Sequence, residues 1–119
     1  MSEIDIVRAL QIKASEMGHR LFRNNSGVGW AGQQVRVARS RMVMVHPGDV
    51  VIRSARPLHA GLAEGSSDLI GLSSSGRFLA VEVKSLKGRT TDRQESFIDM
   101  VNRLGGIGMI AKSVEDFHV

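Results

Sequence analysis

The sequence predicts one α/β domain over residues 1–119, built around a mixed central sheet with an extended β-hairpin. Three observations predict it. Stretches near both ends of the chain repeat apolar residues at helical spacing, and each opens on a capping signal. Asp68–Lys84 reads as two short strands around a serine–glycine turn. Between the first helix and these strands, Gln34–Ile52 has the pattern of a hairpin.

The first helix begins at Ser2-Glu3-Ile4-Asp5, an N-cap with a carboxylate three positions on. Ile4, Val7, Leu10, Ala14, Met17 and Leu21 then recur on one face, and Gly18 is a C-terminal breaker. Leu21–Arg23 begins an extended segment, and Asn24-Asn25-Ser26-Gly27 with Gly29 and Gly32 reads as a loop. In the hairpin, Val35, Val37 and Arg39 lead into the apolar run Met42–Val45, His46-Pro47-Gly48-Asp49 turns, and Val50-Val51-Ile52 returns. Met42–Val45 is apolar on both faces, so a cover on each side is expected, from the chain's own helices or from a second subunit. Thr91-Asp92-Arg93-Gln94 is a second capping box, followed by the stripe Phe97, Ile98, Val101 and Leu104 and the stop Gly105-Gly106. Ile107–Ala111 is a last strand, and Ser113–Asp116 a terminal helical turn.

Composition narrows the chemistry. No cysteine is present, which excludes disulfides, zinc–thiolate sites and iron–sulfur clusters and suits a reducing cytoplasm. No apolar run is long enough to span a bilayer, and the N-terminus lacks the order of a secretory signal. The net charge is +4, and Arg20, Arg23, Arg36, Arg39, Arg41, Arg53 and Arg56 are opposed between Met17 and Ala63 by Asp49 alone. Guanidinium groups suit phosphate oxygens, so DNA is the expected partner, against the alternative of a basic surface kept for solubility. His19, His46, His59 and His118 lack metal-ligand spacing, and no glycine-rich loop has the spacing that cradles a nucleotide. Trp30 either stacks on a base or fills the core, and the scarcity of aromatic residues favours the core.

Alternation along Ala80–Lys84 puts Glu82 and Lys84 on one face, with Cα atoms roughly 6–7 Å apart, and Val81 and Val83 on the other. An isolated Glu-x-Lys is ordinarily a solvated edge. Asp68 alters that reading, because pairing its strand with the Glu82 strand converges two carboxylates on one lysine. Carboxylates that close repel, and a hard cation such as Mg²⁺ or Mn²⁺ relieves the repulsion. Asp68 and Glu82 are therefore the expected metal ligands, with the Val83 carbonyl a further candidate. Lys84 is placed to orient water or stabilise the transition state of phosphodiester hydrolysis.

The ordered set Gly65-Ser66-Ser67-Asp68-Leu69-Ile70-Gly71, Gly76–Lys84 and Gln94 resembles the VRR-NUC branch of the PD-(D/E)XK nucleases. The first helix with Glu3, the loop Arg23–Gly27 and Gly105-Gly106 fit the same likeness, which spans nearly the whole chain. The resemblance implies a restriction-endonuclease-like core of helix, three strands, helix and strand, and Mg²⁺- or Mn²⁺-dependent cleavage of DNA. It assigns Asp68, Glu82 and Lys84 to the catalytic motif and adds Glu3 and Gln94. Both additions have a plain alternative, since Glu3 suits the helix dipole and Gln94 completes a capping box. Arg23, Asn24, Asn25, Lys87 and Arg89 are the expected DNA contacts. The hairpin is longer than the family's minimal form. Stand-alone members resemble phage recombination and repair enzymes that resolve four-way junctions as homodimers, so such a Holliday junction resolvase, acting in the cytoplasm, is the leading expectation. A flap nuclease, a non-catalytic DNA-binding module and an interaction protein dimerising through the hairpin are the alternatives.

Overall fold

The computed structural model describes residues 2–25, 27–36, 42 and 44–119. Ser2 caps α1 (Glu3–Glu16): its hydroxyl accepts the Asp5 N–H at 3.2 Å, and the Asp5 carboxylate accepts the Ser2 N–H in return. The helix buries Ile6, Val7, Leu10 and Ala14. Ile4 and Met17, expected on that face, are exposed, and Leu21 lies beyond the helix on a strand. The strands are β1 (Arg20–Arg23), β2 (Gly27–Arg36), β3 (Val50–Ala60), β4 (Leu69–Leu72), β5 (Phe78–Val83) and β6 (Ile107–Ala111), with α2 (Asp92–Arg103) before the last. A single 3₁₀ turn, Val114–Asp116, occupies the place of the expected terminal helical turn.

The chain divides into two compact units, Gly27–Ala60 and the remainder. The larger unit holds a four-stranded sheet in the order β1-β4-β5-β6. β1, β4 and β5 pair antiparallel, while β5 and β6, joined through α2, run parallel. This is the mixed sheet and the element order of a restriction-endonuclease-like core. One face packs against α1, where Leu69, Leu79, Val81, Val83, Met109 and Ala111 join Ile6, Val7, Leu10 and Ala14. On the other face Ala80 packs with Ile98 and Val101 of α2. Burying each large aliphatic side chain contributes about 1.5–3 kcal/mol, so the α1 side holds most of the stabilising area. Leu104, read as the end of the α2 stripe, is the C-cap residue and is 70% exposed.

Gly71 is fixed by close approach. A methyl group there would collide with the Arg20 carbonyl on the neighbouring strand. Glycine thus lets β1 and β4 pair at normal spacing, and β1 carries the chain to Arg23 and Asn24 beside the site described below.

The smaller unit is a hairpin of β2 and β3, paired from Gly27↔Ala60 to Arg36↔Val50 with a register shift between Ala31 and Gln33. Gly27–Gly32 is therefore strand, not loop: cross-strand backbone hydrogen bonding outweighs the turn preference of three glycines. The return strand runs on to Ala60, beyond the expected Ile52. Pro57 is tolerated because each strand of a two-stranded sheet has an open edge. His46–Asp49 is the expected turn, closed by Asp49 N–H to the His46 carbonyl at 3.0 Å and His46 N–H to the Asp49 carboxylate at 2.9 Å. Val37, Arg39 and Val43 lie outside the described residues. Met42 and Met44 are not in a strand and are exposed in the single chain, so of the two expected sources of cover the chain's own helices do not supply it. Trp30 is also exposed, on β2, so the core reading of this residue gives way.

Candidate active site

β5 delivers the central carboxylate. Leu79, Val81 and Val83 face the α1 core, so alternation turns Ala80 and Glu82 toward α2. Glu82 is only 2% exposed. Lys84 follows on the same face, and its N–H extends the ladder to the Ala111 carbonyl at 3.0 Å. Its ammonium lies 3.7 Å from Glu82 Oε1. Asp68 stands one step beyond the Leu69–Val81 pair, opposite Glu82, and its Oδ2 accepts the Val83 N–H at 3.0 Å. The structure thus brings Asp68, Glu82 and Lys84 together at the ends of two neighbouring strands.

Glu82 carries an electrostatic burden. Oε1 accepts from Gln94 Nε2 at 2.9 Å, whereas the buried Oε2 has no partner among the described residues. Burial first, and then the negative charge of Asp68, push the Glu82 carboxyl up to about 7, and Lys84 offsets part of that rise.

Gln94 serves two purposes at once. Its Oε1 accepts the Thr91 N–H at 2.9 Å, completing the capping box of α2, while its Nε2 holds Glu82. The capping and site readings of this residue are therefore compatible. Glu3 accepts the Ser85 N–H at 3.2 Å, tying the start of α1 to the chain just past β5. It also lines a cavity of about 220 Å³ with Arg23, Asn24, Asn25 and Asp68. Arg23 and Asn25 are exposed there.

Asn24 has a different occupation from the expected phosphate contact. It is buried, and its Nδ2 donates to Ser66 Oγ at 2.8 Å and to the Ser67 carbonyl at 2.9 Å. Its Oδ1 accepts the Leu62 N–H at 3.3 Å, and its own N–H donates to the Asp68 carbonyl at 2.8 Å. All of these partners lie on the loop that ends in Asp68. From the other side that loop packs on α2: at Gly65, with φ +83°, a Cβ would press into the Arg93 backbone, and Glu64 pairs with Arg93. Arg89 lines a second cavity, of about 410 Å³, with Lys84, Lys112 and Glu95. Lys87, exposed, lines a third with Lys112 and Ser85.

The sequence profile of the VRR-NUC domain matches residues 5–115, nearly the entire chain. The chain belongs to the VRR-NUC family. No curated protein matches the sequence. Membership in the VRR-NUC family carries a nuclease-type function on DNA, and nucleases of this family generally use divalent metals. The VRR-NUC match spans both compact units, so the hairpin lies within the matched region.

The donor set fits a hard divalent cation. Two facing carboxylates, one with a buried unpartnered oxygen, form an oxygen-rich position whose repulsion a cation would relieve. Among the described residues no three His, Asp or Glu side chains form a cluster that could hold a metal ion, and Glu3 lines the cavity that Asp68 borders. Sequence reading missed Ser66, Ser67, Gly65 and Lys112. The glycine–serine loop was visible, but its bracing by Asn24 and Arg93 depends on partners far along the chain. Among the described residues no helix is long and apolar enough to cross a membrane.

Proposed function

We propose that this VRR-NUC protein is a divalent-metal-dependent endonuclease that resolves four-way DNA junctions as a homodimer. The observation that carries the metal-dependent reading is the buried Glu82 carboxylate, with one oxygen unpartnered, facing Asp68. Asp68 and Glu82 would hold the cation, with the Val83 carbonyl as a further donor. When bound, Mg²⁺ or Mn²⁺ supplies a water of lowered pKa and neutralises charge on the scissile phosphate. Lys84, anchored 3.7 Å from Glu82, contributes a fixed positive charge to the phosphate as negative charge builds on it. Gln94 holds the Glu82 carboxylate in one orientation by its 2.9 Å hydrogen bond. Glu3 steadies the backbone beyond Lys84 through Ser85. Arg23 and Asn25 on one cavity, and Arg89 and Lys87 beyond Lys84, would contact the backbone of the DNA.

The junction assignment is supported by the demand of its substrate: two strands must be cut symmetrically, and a two-fold dimer offers two equivalent sites. The exposed Met42 and Met44 give a second copy an apolar surface to cover. The deciding experiment cleaves a labelled four-way junction beside a linear duplex and a flap, in Mg²⁺, Mn²⁺ or EDTA, with the wild type and Glu82→Gln. Metal-dependent paired nicks, absent in the variant, are the expected result, together with a dimeric mass in solution. Cutting confined to flaps would replace the junction assignment, and metal-independent cutting would sink the role of Asp68 and Glu82.

A further inference from the structure

The parallel pairing of β5 and β6 has an electrostatic consequence outside the carboxylate pair. Val83 pairs with Ala111, and the Lys84 N–H continues that ladder to the Ala111 carbonyl at 3.0 Å. Lys112 therefore stands beside Lys84, one step further along and on the same face. Like charges side by side on adjacent strands destabilise a sheet. Both lysines line the cavity of about 410 Å³ that Arg89 also lines, with Gly88, Thr90, Glu95 and Ile110. Glu95 is the single carboxylate on that lining, and its Oε1 accepts the Thr90 hydroxyl at 2.7 Å. The Lys112 ammonium meets one weak acceptor, the Leu86 carbonyl at 3.4 Å, which leaves most of its donor capacity open.

Arg89 and Lys112 join Lys84, which is already paired with Glu82 at 3.7 Å, around a cavity lined by one carboxylate, and the surplus of positive charge makes a site for an anion. We infer that this cavity is a phosphate subsite, in which Lys112 and Arg89 grip the DNA backbone phosphate next to the scissile one while Lys84 spans the two positions. The inference rests on the nuclease reading, because a DNA strand at Asp68 and Glu82 would pass directly over Lys84. The cavity bordering Asp68, with Arg23 and Asn25, would then take the strand on the other side of the carboxylate pair.

The test is equilibrium binding of a four-way junction and of duplex DNA in Ca²⁺, across a salt series, with the wild type, Lys112→Gln and Lys112→Arg. Lys112→Gln is expected to weaken binding by about five- to tenfold on every sequence and to lower the slope of log K against log salt by about one; Lys112→Arg is expected to restore both. A second arm replaces single backbone phosphates near the cut with neutral methylphosphonates. One such replacement should weaken the wild type by a similar factor and leave Lys112→Gln unchanged. Equal affinity and slope for wild type and Lys112→Gln would overturn the subsite while leaving the nuclease reading intact. A wild type that binds no DNA would overturn both. Circular dichroism of the variants separates lost binding from lost fold.

Discussion

β5 offers its two faces to opposite tasks. Toward α1, Leu79, Val81 and Val83 are fully packed among aliphatic side chains. Toward α2, Ala80 packs, but Glu82 carries a carboxylate into a nearly solvent-free position beside the partly exposed Lys84. The same six residues thus supply both rigidity and chemistry. The apolar face fixes the strand, and only a fixed strand can hold a carboxylate at a height where its charge is costly. Strain on one face is tolerated because the other is well packed.

Removing the charge from the polar face should have the largest effect. Glu82→Gln keeps the shape of the side chain and its contact with Gln94, so the fold should persist. Metal-dependent DNA cleavage should fall by about 10³-fold or more, measured as single-turnover rates on the best substrate. The same variant should be no less stable than the wild type at pH 7.5, which a urea titration would check. A marked loss of stability with activity retained would reverse the division of labour between the faces.

On the apolar face, Leu79→Ala should cost about 2–5 kcal/mol of stability by opening a cavity against α1, with cleavage falling only as the folded fraction falls. Urea denaturation beside specific activity per folded molecule distinguishes this from a direct role in the reaction.

The faces also differ in their response to pH. Glu82 binds its proton more tightly in the folded protein, with a carboxyl raised from 4.5 to about 7. The native state therefore holds more protons than the unfolded chain between these values, and stability of the metal-free protein falls as pH rises. The stability is full below pH 4.5 and is lost progressively through about pH 7, by on the order of 3 kcal/mol. Denaturation midpoints at pH 5, 6 and 7.5 measure it. Glu82→Gln should flatten the profile, and so should saturating Mg²⁺. A wild-type profile that stays flat without metal would mean that Glu82 is not burdened as described.

A smaller effect is expected from Asn24→Ala, about 1–3 kcal/mol of stability, because it strips the Ser67 carbonyl and the Leu62 N–H of their partner. Loosening of Asp68 should show separately, as a several-fold weaker Mn²⁺ affinity by calorimetry. Unchanged metal affinity would confine Asn24 to the stability of its loop.

These variants also mark the reach of sequence reasoning. The capping boxes at Ser2 and Thr91, the alternation of Ala80–Lys84 and the turn at His46–Asp49 are local patterns, and local physics fixes them. Asp68 beside Glu82 was also legible, because a short turn between two strands permits little but a hairpin. Asn24 was not. An asparagine in a polar stretch reads as a solvent-facing donor, and its partners Ser66 and Ser67 lie more than forty positions away. Lys112 next to Lys84 was equally hidden, since parallel pairing across a helical crossover leaves no trace in either strand. The glycines of β2 misled for a different reason: their turn preference is real, and the length of the paired ladder overrides it.

The shared amide of Gln94 has one more consequence. The group that closes the first turn of α2 is the group that steadies Glu82, so fraying at that helix end and disorder of the carboxylate become a single event. Hydrogen exchange at the Thr91 amide would then act as a gauge of the centre, slowing when a cation draws Glu82 into place and quickening when the carboxylate is lost.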